Sequence, residues 1–366
     1  MLSNILLAAT AATTASALSP LFLDTPPSYS QPYAIKRFAP AKAVAVGQQI
    51  YRFPVTGAAS DGKFSLLSTS APSSNDLGVL PHQHYLHFEN FFCLEGRFQL
   101  WTSKNDSENG RLLTAGDYGA VPPNTTHTFQ LLDPFTEMVG AIGPGGFEDL
   151  FFFLVNSNYT AATRTPYVPS NASSAAGSGS SSAIITSLQS YDVWAQLSYF
   201  PRRDFVNGSA PSTSGWHSSP NSLPQNDHTP YFVAKDYGPK YLHTSAFYQI
   251  VQPLVTPAQA GAKNFTQGTI TISSLPSNTT LDSTILPDHT AFEVLSGELI
   301  VEMEGETLAL VIGDVVFIPG GTAFKYYSSA AFTKFLYVAA GRDTLDQRLI
   351  AEAKGWGYPV FPTAWP

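Results

Sequence analysis

Apolar and polar positions exchange over short distances along this chain, and a period of two dominates. Residues 49–56 and 64–69 read as short strands, and Arg97-Phe98-Gln99-Leu100-Trp101 alternates as a strand with one buried face should. His127, Phe129 and Leu131 fall on one face of a further strand. Residues 105–110 read as a polar turn, and Gly116-Asp117 as another. Residues 147–155 form a dense apolar run with Glu148 and Asp149 near its start, which fits a buried strand or a short helix. Residues 184–199 fit a helix with Ile185, Leu188, Tyr191 and Ala195 on its apolar face.

The pattern then repeats. Pro230-Tyr231-Phe232-Val233 echoes Pro32-Tyr33-Ala34-Ile35, and Tyr248-Gln249-Ile250-Val251 echoes Tyr51-Arg52-Phe53-Pro54. Phe292-Glu293-Val294-Leu295-Ser296-Gly297 echoes Phe91-Phe92-Cys93-Leu94-Glu95-Gly96, and Gly313-Asp314 echoes Gly116-Asp117. The expectation is an all-β protein, a tandem duplication of one β-barrel over residues 24–160 and 222–366. Residues 161–221 form a long linker, almost wholly Ser, Ala and Gly from Ser170 to Ser182.

Composition narrows the functional classes. The 366 residues suffice for two domains, and a net charge of -8 without a basic run argues against nucleic acid as a partner. Residues 1–17 read as a secretory signal, ending in Ala15-Ser16-Ala17. Asn-x-Ser/Thr sequons follow at Asn105, Asn124, Asn158, Asn171, Asn207, Asn264 and Asn278, so a secreted, extracellular glycoprotein is expected. No later apolar run is long enough to span a bilayer. Cys93 is the single cysteine, read as a core thiol, and it leaves no intrachain disulfide.

The chemistry concentrates between Gly78 and Gly96, in His82-x-His84-x4-Glu89-x6-Gly96. His82 and His84 project from one face of a strand, while Glu89 has the wrong parity to join them. The chain must therefore turn or cross to a neighbouring strand between Tyr85 and Phe88. Two imidazoles and a carboxylate brought together form a metal-site signature, and His127 is a fourth candidate. The two segments resemble the paired motifs of the cupin superfamily, whose barrels are of the jelly-roll type. In the second half, counting from Gly297 and the Gly-Asp turn puts Ser283, Ile285, Thr290 and Phe324 at the four positions. His289 and Glu293 lie nearby but off register. His217, His228 and His243 read as surface or core residues.

Over nearly the whole mature chain the sequence resembles the fungal bicupin quercetin 2,3-dioxygenases (flavonol 2,4-dioxygenases). The resemblance rests on Leu80-Pro81-His82-x-His84, Gly116-Asp117-Tyr118-Gly119, Thr126-His127-Thr128-Phe129-Gln130, Pro144-Gly145-Gly146-Phe147-Glu148-Asp149-Leu150 and Phe324-Lys325-Tyr326-Tyr327. It implies copper held by His82, His84, Glu89 and His127 in the first barrel only. It also implies a flavonol pocket lined by Tyr51, Thr69, Phe91, Phe129, Met138, Ile142, Phe147 and Phe151. Leu67 stands where the family pattern has Met. The implied reaction cleaves the flavonol heterocycle with O2 to a depside and carbon monoxide, with Glu89 as both ligand and base for the 3-hydroxyl proton. Such a donor set also accepts manganese, iron, cobalt or nickel, and the divalent affinity order favours copper. Two rivals stand beside this reading. One is an oxalate decarboxylase- or germin-like enzyme, which would need a pocket cation for its dianion. The other is a non-enzymatic flavonoid-binding bicupin. The chain is compatible with a monomer or a homodimer.

Overall fold

The computed structural model describes residues 18–39, 42–155, 157–158, 182–212 and 215–363. The expected signal at 1–17 and most of the Ser-rich stretch lie outside the described residues. No helix among the described residues is long and apolar enough to cross a membrane.

Tight turns set the strand order. Asn105 and Asp106, with φ of 50° and 61°, form a two-residue turn between the antiparallel strands Arg97–Lys104 and Ser107–Thr114. The polar turn expected over 105–110 is thus only two residues long. Ser107 to Gly110 are strand, and their polarity serves the linker, which packs over them. Tyr199 donates to Glu108 at 2.6 Å, and Ser209–Ala210 pairs with Arg111 and Gly110. Glu304-Gly305 makes the corresponding hairpin in the second half, between Glu298–Met303 and Glu306–Val311.

Each half packs one long sheet against a shorter one. In the first, an eight-stranded sheet that includes Gln49–Val55, Ser65–Ala71, Thr136–Gly143, Phe88–Glu95 and Tyr118–Val121 faces a six-stranded sheet that includes His82–Gln83 and Thr126–Leu131. In the second, nine strands face four. Gly96 and Gly297 occupy matching hairpin positions with φ of 69° and 77°, and a Cβ on either would strike the carbonyl of Phe135 or Phe332.

The two halves exchange strands, which corrects the boundaries 24–160 and 222–366. Tyr33–Ile35 pairs with Val315–Ile318 of the second barrel, and Tyr231–Val233 pairs with Tyr118–Val121 of the first. The Gly-Asp turns hold these strands. Asp314 accepts from the Arg37 backbone N–H at 3.1 Å and from Lys36 Nζ at 2.7 Å. Asp117 accepts from the Lys235 N–H at 2.8 Å and contacts His217 Nε2 at 2.9 Å. The buried hydroxyls of the exchanged tyrosines cross back: Tyr33 donates to Pro54 O at 2.8 Å and Tyr231 to Leu254 O at 2.6 Å. These pairings align Gln49–Val55 with Gln249–Val255, so Tyr51 corresponds to Val251, three positions from the sequence-based match. One core cluster spans both halves, joining Phe88, Phe92 and Val139 to Phe265, Phe317 and Val338.

The run at 147–155 is a helix, Glu148–Leu154. Glu148 anchors it, accepting from the Gly57 N–H at 2.6 Å and from Ser65 Oγ at 2.5 Å. The helix expected over 184–199 is shorter. Ser182–Leu188 continues as a 3-10 turn at Gln189–Tyr191 and stops at Asp192, which takes φ 61°. Trp194–Ala195 is then a strand paired with His82–Gln83, so Ala195 leaves the helical face and the linker becomes part of the first barrel.

Candidate metal centre and cavity

His82 sits opposite His127 across the short sheet, so both imidazoles point into the barrel. At His84 the chain leaves that sheet, and it enters the other with Phe88–Glu95, where Glu89 pairs with Val121 and Ile142. The change of strand demanded by parity is there. Ligand atoms of His82, His84, Glu89 and His127 all lie within 4.8 Å of one another.

Each imidazole is oriented through Nδ1, against a backbone carbonyl: His82 to Leu80 at 2.8 Å, His84 to Asp192 at 2.6 Å and His127 to Thr125 at 3.2 Å. With Nδ1 as donor, Nε2 presents its lone pair inward. Nε2 of His84 and of His127 both meet Glu89 Oε2, at 3.2 Å and 2.8 Å. Acceptors facing a carboxylate this closely require a shared proton or a cation between them. Burial, then the neighbouring His127 and His84, hold His82 well below the ordinary imidazole range. Burial works against ionised Glu89, but its contacts with His127 and His84 outweigh it and hold the carboxyl well below its usual range. Burial likewise opposes charge on His84, and Glu89 and the Asp192 carbonyl raise it nonetheless. Three oriented imidazole nitrogens and one ionised carboxylate are a donor set that fits a divalent transition metal.

Asp192 was missed by sequence reasoning. Its carboxylate accepts from the backbone N–H groups of Tyr85, Leu86 and His87 at 2.9, 2.7 and 3.1 Å, and from His87 Nδ1 at 2.9 Å. The loop between the two ligand-bearing strands is therefore clamped by the linker. Composition marked the linker as spacer, and only the apolar spacing that singled out Leu188 hinted that it packs.

The cluster opens onto a cavity whose empty space, mouth included, is about 830 Å³. Tyr51, Thr69, Phe91, Phe129, Met138, Ile142, Phe147 and Phe151 all line it, and so does Leu67. Sequence reasoning did not find Val46, Leu188 or Val193, which also line it. The Phe147 ring stands edge-on to His84 with centroids 5.0 Å apart, and Phe151 packs on Tyr51 at 4.2 Å. Tyr51 spends its hydroxyl on Gln49 Oε1 at 2.9 Å, so it offers the cavity a ring. The buried Thr69 Oγ1 has no hydrogen-bond partner among the described residues. No Arg or Lys lines this space among the described residues.

The second barrel differs. Thr284 pairs with Phe324 as His82 pairs with His127, so Thr284 rather than Ser283 is the counterpart of His82, and Leu286 rather than Ile285 that of His84. The loop before Thr290 is one residue shorter than its equivalent, which hid this from counting. His289 accepts from the Gly320 N–H at 3.0 Å and meets Asp61 at 3.1 Å, away from any such cluster. Glu293 faces the junction between the barrels. His228 is exposed, and His243 is buried against Gln249 and Glu352 at 3.4 Å each.

Comparison with known proteins adds independent findings. The chain is 48% identical over 350 residues to the quercetin 2,3-dioxygenase of Aspergillus japonicus, covering 95% of this chain and 99% of that one. It is 32% identical over 125 residues to the quercetin 2,3-dioxygenase of Bacillus subtilis (strain 168), 34% of this chain and 35% of the relative. The solved structure of a Lactobacillus farciminis oxalate decarboxylase formate complex shares the fold, with a TM-score of 0.50 at 12% identity over 87% of this chain and 88% of that one. A family model described as ethanolamine utilisation protein EutQ matches residues 261–344, within the second barrel.

Proposed function

The chain belongs to the quercetin 2,3-dioxygenase family, and from that premise we propose that it opens the heterocycle of flavonols with O2, releasing a depside and carbon monoxide, at the cluster of His82, His84, Glu89 and His127. The observation that carries this reading is the placement of that cluster in an apolar, aromatic cavity without a cation. A planar, largely apolar ligand suits such a space. A dianion such as oxalate would find no Arg or Lys to meet it among the described residues.

Copper is the metal we assign. When bound, it would supply a Lewis acid for the flavonol 3-oxygen and a redox route between substrate and O2. The chain supplies the rest. Both imidazole contacts to Glu89 fall on Oε2, so Oε1 is the atom we assign to take the 3-hydroxyl proton. Its depressed pKa keeps it ionised. Phe147, Phe151 and Tyr51 hold the flavonol rings, and the orphan Thr69 hydroxyl gives one polar atom a partner. Leu188 and Val193, delivered by the linker, exclude water from the reacting face.

Secretion is part of the same proposal. Asn105, Asn124, Asn207, Asn264 and Asn278 are all exposed and all at positive φ, in turns that a glycan could occupy without disturbing a sheet. A mass shift on glycosidase treatment of protein from its natural source is the check.

The reaction is tested with quercetin and O2. Loss of the flavonol absorbance with one carbon monoxide per ring opened is expected. Flavones lack the 3-hydroxyl and should bind without reacting. Carbon dioxide from oxalate with quercetin untouched, or flavone cleavage at the quercetin rate, would overturn the reading.

A further inference from the structure

A second cavity lies between the barrels and shares no lining residue with the first. Its empty space, mouth included, is about 1140 Å³. Both Gly-Asp turns border it, and so do the residues that follow the exchanged strands. The Lys235 side chain lies over Gly116 and that of Arg37 over Gly313, each where a Cβ would collide with its methylenes. The cavity is thus lined by equivalent residues of both halves, yet the two halves line it differently.

Three cations border it. Arg37 is matched by Glu137 and, at 3.4 Å, by Glu95. Among the described residues, Lys334 reaches only Asp236, at 3.5 Å. Burial holds the Lys334 ammonium below the ordinary lysine range, Asp236 pulls against that, and the charge of Lys235 adds to it. Lys235 and Lys334 both line the cleft, so an anion entering it would meet two ammoniums.

The strand paired with that of Lys334 carries a more unusual lining residue. Glu293 is 4% exposed, lines the cavity, and its Oε2 has no hydrogen-bond partner among the described residues. Burial, with Glu137 adding and Arg37 opposing, pushes its carboxyl up to about 8. The pairings to Val315 and to Tyr118 make Phe92 its counterpart in the first barrel. The fold at this position is therefore satisfied by a phenylalanine. A buried acid with an orphaned oxygen costs stability where an aromatic ring does not, and such a group calls for a partner.

We propose that this cleft binds a small aromatic carboxylate, with its carboxylate between Lys235 and Lys334, its ring against Leu94, Leu295 and Phe332, and a ring hydroxyl on Glu293. The depside released by ring opening belongs to this class of anion, a link that rests on the flavonol reading above.

Calorimetric titration of the metal-loaded chain with protocatechuate tests this, with acetate as the non-aromatic control. One saturable site is expected for protocatechuate and none for acetate. Lys334→Ala and Lys235→Ala should each weaken binding roughly tenfold or more, as loss of a charge-assisted contact does, with quercetin turnover unchanged. Glu293→Phe should remove most binding and raise the melting temperature. His127→Ala should bind as the parent does, because it alters only the metal cluster. Lys235 is exposed, so its variant tests the site even if Glu293→Phe fails to fold. Absence of saturable binding would overturn the proposal. So would binding lost in His127→Ala and kept in Lys334→Ala, which would place the acid at the metal. Binding with the expected variant pattern in a chain inert toward flavonols would support the cleft while sinking the reaction.

Discussion

Replacing Asp192 with Ala should damage a metal centre that Asp192 does not enter. The substitution removes the acceptor of four hydrogen bonds, three from successive backbone N–H groups and one from His87. Bonds to a charged group are worth about 1.5–3 kcal/mol each when buried. Tyr85 and Leu86 are largely exposed, however, so water can take over part of the loss. Ala also tolerates the left-handed backbone at this position poorly, at about 1–2 kcal/mol. With the Tyr85 and Leu86 bonds discounted, the two His87 bonds and the backbone cost leave a net loss of about 4–8 kcal/mol. The His84 ring rests on the Asp192 carbonyl, and loosening it should weaken metal binding by about 10–100-fold, as loss of an outer support commonly does. Asp192→Asn keeps an acceptor oxygen and the left-handed conformation, and should recover much of both. The assays are thermal melting and competition for metal against a chromophoric chelator. Burial would raise the Asp192 pKa, but its N–H donors and His87 outweigh that and lower it. Its contribution is therefore complete above the unfolded value of about 3.9 and is lost as pH falls through the lower folded value. The gap between parent and Asp192→Ala should be flat near neutrality and close only in strong acid. An alanine variant with parental melting and parental metal affinity would refute the clamp.

The remaining expectations concern the cluster and the exchanged strands. Metal analysis should find one ion per chain, lost in His127→Ala and kept in His87→Ala and His289→Ala; content near two, reduced by His289→Ala, would contradict the second barrel's reading. Glu89→Gln, fully loaded, should lose about 10²–10⁴-fold in turnover, because an amide can face a metal but cannot take a proton. A wild-type rate would leave Glu89 a ligand only. Asp314→Ala should cost about 2–3 kcal/mol by releasing Lys36 and the Arg37 N–H. An unchanged denaturant midpoint would show that the turn does not hold the strand.

Period-two patterning and the internal repeat were enough to read an all-β duplication, because side-chain alternation on a sheet is a local property. His82, His84, Glu89 and His127 were legible as a group through the spacing of the two motifs, with parity requiring only that the chain change strands before Glu89. Legibility failed where structure depends on distant partners. The exchange of Tyr33–Ile35 and Tyr231–Val233 is invisible locally, because either strand would satisfy either sheet edge. Asp192 is one carboxylate in a polar linker until the fold brings it to residues 85–87. The counterpart of His82 was misplaced by one because a loop changed length, which counting cannot see and pairing can.

The exchange of strands bears on how this chain is made and kept. The first barrel lacks the outer strand on Tyr118–Val121 until Tyr231–Val233 has been synthesised, while Tyr33–Ile35 waits for Val315–Ile318. Synthesis from the N-terminus therefore passes through a stage with an open sheet edge, a template for wrong pairing. Neither half can be released whole by a cut between residues 159 and 181. The second barrel lacks the donor set that the first carries, yet it closes the sheet that holds Glu89. A duplicate with no metal ligands of its own is thereby held in the molecule, as the lender of its neighbour's last strand.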